Sequence, residues 1–137
     1  MDADTGLRFV PPGAAEVEWV RDSKHEWLVR NGLTGPGELA MVRVTMEPGQ
    51  FHAFHCHPRM EEILHFVSGR GIQWVGKKKS EMGAGDTAHI PMGEVHATYN
   101  PFDEPLVFLA VLTPAVFDGN ETRDLAEEEP WASMGGV

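Results

Sequence analysis

GQFHAFHCHPRMEEILHFVSG, residues 49–69, sets four histidines, two glutamates and the chain's one cysteine between two glycines. Imidazole, carboxylate and thiolate all bind metal ions, yet one ion cannot take seven donors, so the backbone must choose among them. In an extended chain, side chains two apart share a face. His55 and His57 then project together, and Cys56 points the other way. A His-x-His pair on a strand is a two-toothed metal clamp, or else two surface histidines. A second stretch, GDTAHIPMGEVHATYN at 85–100, adds His96 after a proline–glycine turn and favours the clamp.

Outward from these stretches, short extended segments alternate with turn chemistry. LAMVRVTM (39–46) ends in EPGQ; ILHFVS (63–68) runs into GRG, and IQWV (72–75) into GKKKS. TAHI (87–90) runs into PMGEV, and HATYN (96–100) into PFDEP ahead of LVFLAVL (106–112). Strands of four to eight residues at such intervals predict an all-β sandwich or small barrel. No window before position 118 carries a helical stripe. The predicted organisation is an N-terminal segment (1–38) too apolar for a free arm, which packs on the barrel or on a partner subunit, a barrel (39–116) and an acidic C-terminal tail (117–137) with at most one helical turn before a loose end. GKKKS is expected at a solvated hairpin tip.

Composition removes several function classes. The 137 residues suffice for one domain with a core, and 42% hydrophobic with 23% charged residues is globular. The formal charge of -10 argues against nucleic-acid and anionic-membrane partners, which need a basic field. The start, MDADTGLRFVPPG, has no signal-like run, and PLVFLAVLTPAV is too short and proline-broken to span a bilayer. One cysteine allows no internal disulfide, so cytoplasmic residence is expected.

Residues 49–69 resemble the first motif of the cupin superfamily: glycine, five residues, His-x-His, four residues, glutamate, six residues, glycine. Residues 85–100 resemble the second: glycine, five residues, Pro-x-Gly, two residues, histidine, three residues, asparagine. The resemblance covers about residues 39–112. It implies a small jelly-roll barrel, a double-stranded β-helix, with one divalent transition-metal ion inside (Fe, Mn, Ni, Cu or Zn). His55, His57, Glu62 and His96 are the ligands it implies. The six-residue gap to Gly69 selects Glu62 over Glu61, and strand parity would put Leu64, Phe66 and Ser68 inside with it. Phe51, Phe66 and Trp74 are expected as pocket walls and Thr98 behind the ligands, while Asn100 is placed to tie down a strand end. Cys56 and His52 share the opposite parity and are read as non-ligands; His89 is read as structural, and His25 has no placement.

A metal with open positions in an apolar pocket predicts an enzyme acting on a small organic substrate. Dioxygenase-type oxidoreductase chemistry is placed first; Lewis-acid isomerase, lyase or cyclase chemistry comes second, and a non-catalytic small-molecule binder third. The apolar residues before position 39, with Ile63 and Val67 facing outward, predict a homodimer.

Overall fold

A computed structural model describes residues 6–134; residues 1–5 and 135–137, the extreme ends of the two flanking segments, lie outside that range. Eleven strands are present: β1 (Glu16–Val20), β2 (Ser23–Val29), β3 (Ala40–Met46), β4 (Phe51–Cys56), β5 (Glu61–Ser68), β6 (Arg70–Val75), β7 (Lys78–Gly83), β8 (Thr87–Ile90), β9 (His96–Tyr99), β10 (Leu106–Thr113) and β11 (Arg123–Asp124). Two three-residue 3-10 turns are the only helical elements among the described residues.

The strands form two antiparallel sheets, one ordered β1-β2-β3-β10-β5-β8 and the other β11-β4-β9-β6-β7. The jelly-roll barrel expected of a cupin is the observed architecture. Alternation explains how it closes. In β10 every even residue from Leu106 to Leu112 is buried, and in β5 Glu62, Leu64 and Phe66 are buried against exposed Ile63, His65 and Val67. Ser68 departs from this parity and is exposed, because the β5–β10 register shifts between Val107 and Phe108. At one end of the barrel the two sheets meet over a dry core of Met46, Leu64, Phe66, Met82 and Leu106. Gly69 joins β5 to β6 at φ +77°, and a Cβ there would sit 2.1 Å from the Pro105 carbonyl oxygen, so only glycine fits. Asn100 ties down the end of β9 by donating from Nδ2 to the Met46 and Glu104 carbonyls at 3.0 and 2.9 Å.

The N-terminal segment joins the barrel by strand addition: β2 pairs with β3, so the β1–β2 hairpin extends the first sheet. One expectation is corrected. The C-terminal tail is not loose over its described part. Its β11 pairs with β4, Leu125 is buried, and Trp131 packs on Phe54 across the outer face of the second sheet. The lysine run does sit at an exposed hairpin tip: Val75 pairs with Lys78, leaving Gly76 and Lys77 as a two-residue turn, and Lys78 and Lys79 open β7.

Candidate metal centre

Sheet pairing brings the histidines together. His55 of β4 lies opposite His96 of β9, and His57 follows β4 into the turn before β5. The ring centroids of His55 and His96 are 4.2 Å apart, and that of His57 is 5.2 Å from each. Their potential ligand atoms all fall within 4.8 Å of one another, a group able to hold a metal ion. Glu62 enters from the other sheet, buried, with Oε1 3.1 Å from His96 Nε2 and 3.5 Å from His57 Nε2. Glu61 faces outward onto His89 at 2.5 Å.

Second hydrogen bonds fix which nitrogen each ring presents. Nδ1 of His55 meets the Ala53 carbonyl at 2.6 Å, that of His57 meets Glu121 at 3.1 Å, and that of His96 meets Glu94 at 2.9 Å. A carbonyl only accepts, so each Nδ1 carries the hydrogen and each Nε2 is a bare donor pair for a cation. His96 Nε2 and Glu62 Oε1 are buried with no hydrogen-bond partner. Two lone pairs facing each other across 3.1 Å inside a protein call for a proton or a metal ion between them. The donor set therefore fits a divalent ion.

The electrostatics agree. Burial holds His55 well below the usual imidazole range, and burial likewise lowers His57 against the pull of Glu62. Burial also acts to lower His96, but the Glu62 carboxylate beside it outweighs burial and raises the group. Burial raises the Cys56 thiol, which stays protonated on the outer side of β4 beside Arg123.

The centre opens into a cavity of about 440 Å³, a small-molecule size. Its apolar wall is Val20, Trp27, Val42, Val44, Phe108, Ala110, Leu112 and Phe117. Its polar lining is Glu18, Arg21, His25, Arg30, His52, Glu121, Thr122 and Asp124, besides His55, His57 and Glu62. Arg59 clasps Asp118 through two bonds of 2.9 and 2.7 Å, which anchors the 118–122 segment whose Glu121 carbonyl holds His57.

Of the four residues expected as walls or supports, none lines this cavity. Phe51 is half exposed on the outer face of the second sheet, stacked on Tyr99. Trp74 shares that face with Phe54. Phe66 lies in the dry core against Phe108. Thr98 does face inward, one row beyond His96, and donates to Gln73 Oε1 at 2.6 Å.

His52 is the main departure. Between His52 and His55, β4 spends three residues while β9 spends two, from Thr98 to His96. The bulge turns His52 inward with His55 and sends Phe51, Phe54 and Cys56 outward. The repeated FH in FHAFHC, spaced three rather than two, is the signal for it. His25, the other missed residue, sits on β2 on the buried side with Trp27 and stacks on His52 at 5.4 Å. Burial, followed by the charges of His25 and Arg21, pushes His52 down to about 3, and burial lowers His25 as well.

Comparison with known proteins fits this picture. Residues 42–112, just over half of the chain, match the cupin 2 family, described as the cupin domain. The chain belongs to the cupin family. This cupin is similar to germin-like protein 3-7 of Oryza sativa subsp. japonica, with 38% identity over 68 residues, 46% of this chain and 29% of that protein. It is 35% identical over 78 residues to oxalate decarboxylase OxdC of Bacillus subtilis (strain 168), covering 53% of this chain and 20% of that one. The matches thus span under a third of either relative's length. A solved structure of the Bacillus subtilis oxalate decarboxylase, concerned with its Mn(II) centres, superposes at a TM-score of 0.66 with 25% identity, over 77% of this chain and 28% of that one. An RmlC-like cupin from Shewanella frigidimarina NCIMB 400 superposes at 0.71 with 21% identity, over 82% and 96% of the two chains, a likeness of fold alone. Among the described residues, no helix is long and apolar enough to cross a membrane.

Proposed function

We propose that this cupin is a metal-dependent enzyme acting on a small organic substrate, with one divalent transition-metal ion held by His55, His57, Glu62 and His96. The observation that carries this reading is the buried, unpartnered pair of Glu62 Oε1 and His96 Nε2 in a histidine cluster. Three imidazoles and one carboxylate suit Fe, Mn, Ni, Cu or Zn and leave net positive charge for a substrate oxygen. When bound, such an ion polarises a carbonyl or carboxylate and, if redox-active, supports chemistry with dioxygen.

The chain's own residues supply the rest. The backbone bonds of His55, His57 and His96 hold the rings in one orientation. Val42, Val44, Ala110 and Leu112 give the substrate's carbon skeleton a dry wall. Arg30, 4.2 Å over the Trp27 ring, puts a cation on the cavity wall, where it favours an acidic substrate. Dioxygenase-type oxidation of a small acid or enolizable ketone stands first, supported by the donor set and by the similarity to a decarboxylase of a small acid. Isomerase, lyase or cyclase chemistry stands second, supported by two further imidazoles in the wall that can exchange protons with substrate.

The test is an oxygen electrode run with metal-loaded protein and a panel of 1,3-diketones and small 2-oxo and 2-hydroxy acids, with products read by NMR. Oxygen uptake proportional to metal occupancy is expected. Conversion that proceeds without oxygen would move the account to the second chemistry, and binding with no conversion would overturn the enzyme reading.

The partner we propose is a second copy of the chain, docked on the outer face of the first sheet. Val17, Trp19, Ile63 and Val67 are exposed there beside half-buried Leu109 and Val111. Sedimentation should give a dimer at micromolar protein; a stable monomer would contradict it.

A further inference from the structure

The bulge in β4 puts His52 where it can meet a ligand. His52 Nε2 is buried and has no hydrogen-bond partner, and the ring's hydrogen bond goes to the Val20 backbone. His25, stacked on it at 5.4 Å and 29°, spends its Nδ1 on the Ser23 carbonyl at 3.2 Å. Each ring has its hydrogen engaged by backbone, which leaves each Nε2 a bare acceptor, and that of His52 is buried without a partner. Both line the cavity that contains His55, His57 and Glu62, and the His52 and His55 ring centroids are 6.5 Å apart. Arg21, the cation beside this wall, is bonded to Asp124. Next to the metal centre the wall therefore offers hydrogen-bond acceptors and asks for a donor.

We infer that the substrate carries a hydroxyl group beside the carbonyl or carboxylate that meets the metal centre, and that His52 accepts that hydroxyl's hydrogen. This inference rests on the metal reading proposed above. The substrate class is a 2-hydroxy acid or an enediol. His52 is the binding residue, and His25 positions it through the stacked face. A pocket built to receive an O–H rejects the analogue that lacks it, because the acceptor is then left buried and alone.

Glycolate and methoxyacetate differ at this one hydrogen-bond donor and serve as probes. Zinc-loaded wild type, its stoichiometry established by elemental analysis, is titrated with each by calorimetry. Glycolate should bind about tenfold more tightly than methoxyacetate. His52→Phe should bring the ratio near one by weakening glycolate alone, with zinc content kept, while His52→Gln, whose amide oxygen still accepts, should retain part of the preference. Histidine ¹⁵N spectra of the wild type give a readout that needs no variant to fold. The His52 Nε2 resonance should be that of a bare ring nitrogen and should move with glycolate but not with methoxyacetate. An undiminished preference in folded His52→Phe, no preference in the wild type, or an unmoved Nε2 resonance would overturn the inference. Failure to bind zinc at all would instead show in the stoichiometry and bring down the metal reading with it.

Discussion

The two ends of the barrel interior obey different rules. At the dry end, Met46, Leu64, Phe66 and Leu106 follow strict alternation and fill the space between the sheets with hydrocarbon. At the other end β5 delivers Glu62 while β4 and β9 deliver His55 and His96, β4 breaks its period between His52 and His55, and three buried polar atoms go without partners. Local propensity and packing are satisfied in the first region and violated in the second. Buried unpaired acceptors cost stability unless something binds them, so the violation marks where a ligand belongs.

The contrast can be broken from either side. The largest effect is expected from Phe66→Ala, which opens a cavity in the dry end: about 3–5 kcal/mol lost in denaturant unfolding, with unchanged metal per folded chain. Loss of metal along with stability would show that the two ends are not separable. At the polar end, His96→Ala should weaken metal binding by more than the roughly 100-fold that loss of an outer supporting contact costs, while the far-ultraviolet spectrum stays that of a β-barrel. Retention of stoichiometric metal would break the assignment of His96.

A subtler difference lies in pH. The unfolded chain protonates His52 near its ordinary value of 6.5, whereas the folded chain resists until about 3. The unfolded state then holds more protons across that window, so metal-free protein loses stability as pH falls through it. His55, His57 and His25, also lowered, act in the same direction, and His96, raised by Glu62, acts in the opposite one. His52→Gln should flatten the fall of Tm between pH 6.5 and 4; an unchanged slope would contradict the burial of a neutral ring. The smallest effect belongs to the surface. Glu61→Gln, which loosens the exposed contact with His89, should change stability by under about 1 kcal/mol and leave metal content alone.

Much of this was legible in the residues. The strand pattern and the two glycine-bounded motifs lead to the barrel, and His55, His57 and His96 come together as the cupin resemblance implies. What escaped was decided by tertiary pairing. A one-residue bulge reverses parity for everything before it, so Phe51 went to the wrong face together with His52. Trp74 shows the limit of reading aromatics: alternation fixes that it shares a face with Ile72, but not that Phe54 and the C-terminal Trp131 occupy that face. His25 lies on a strand whose partner, β3, begins 15 residues later, so nothing local revealed that it enters the cavity. Arg21, Arg30 and the 118–122 segment reach the mouth for the same reason, by sheet extension at one terminus and strand addition at the other.

The most direct test of the central claim is elemental analysis of wild-type protein purified without affinity tag or chelator, alongside Glu62→Gln handled identically. About one divalent transition-metal ion per wild-type chain, and a marked loss in the variant, is the expected result. Metal-free wild type that takes up no ion on reconstitution, or a variant that keeps its full complement, would contradict it.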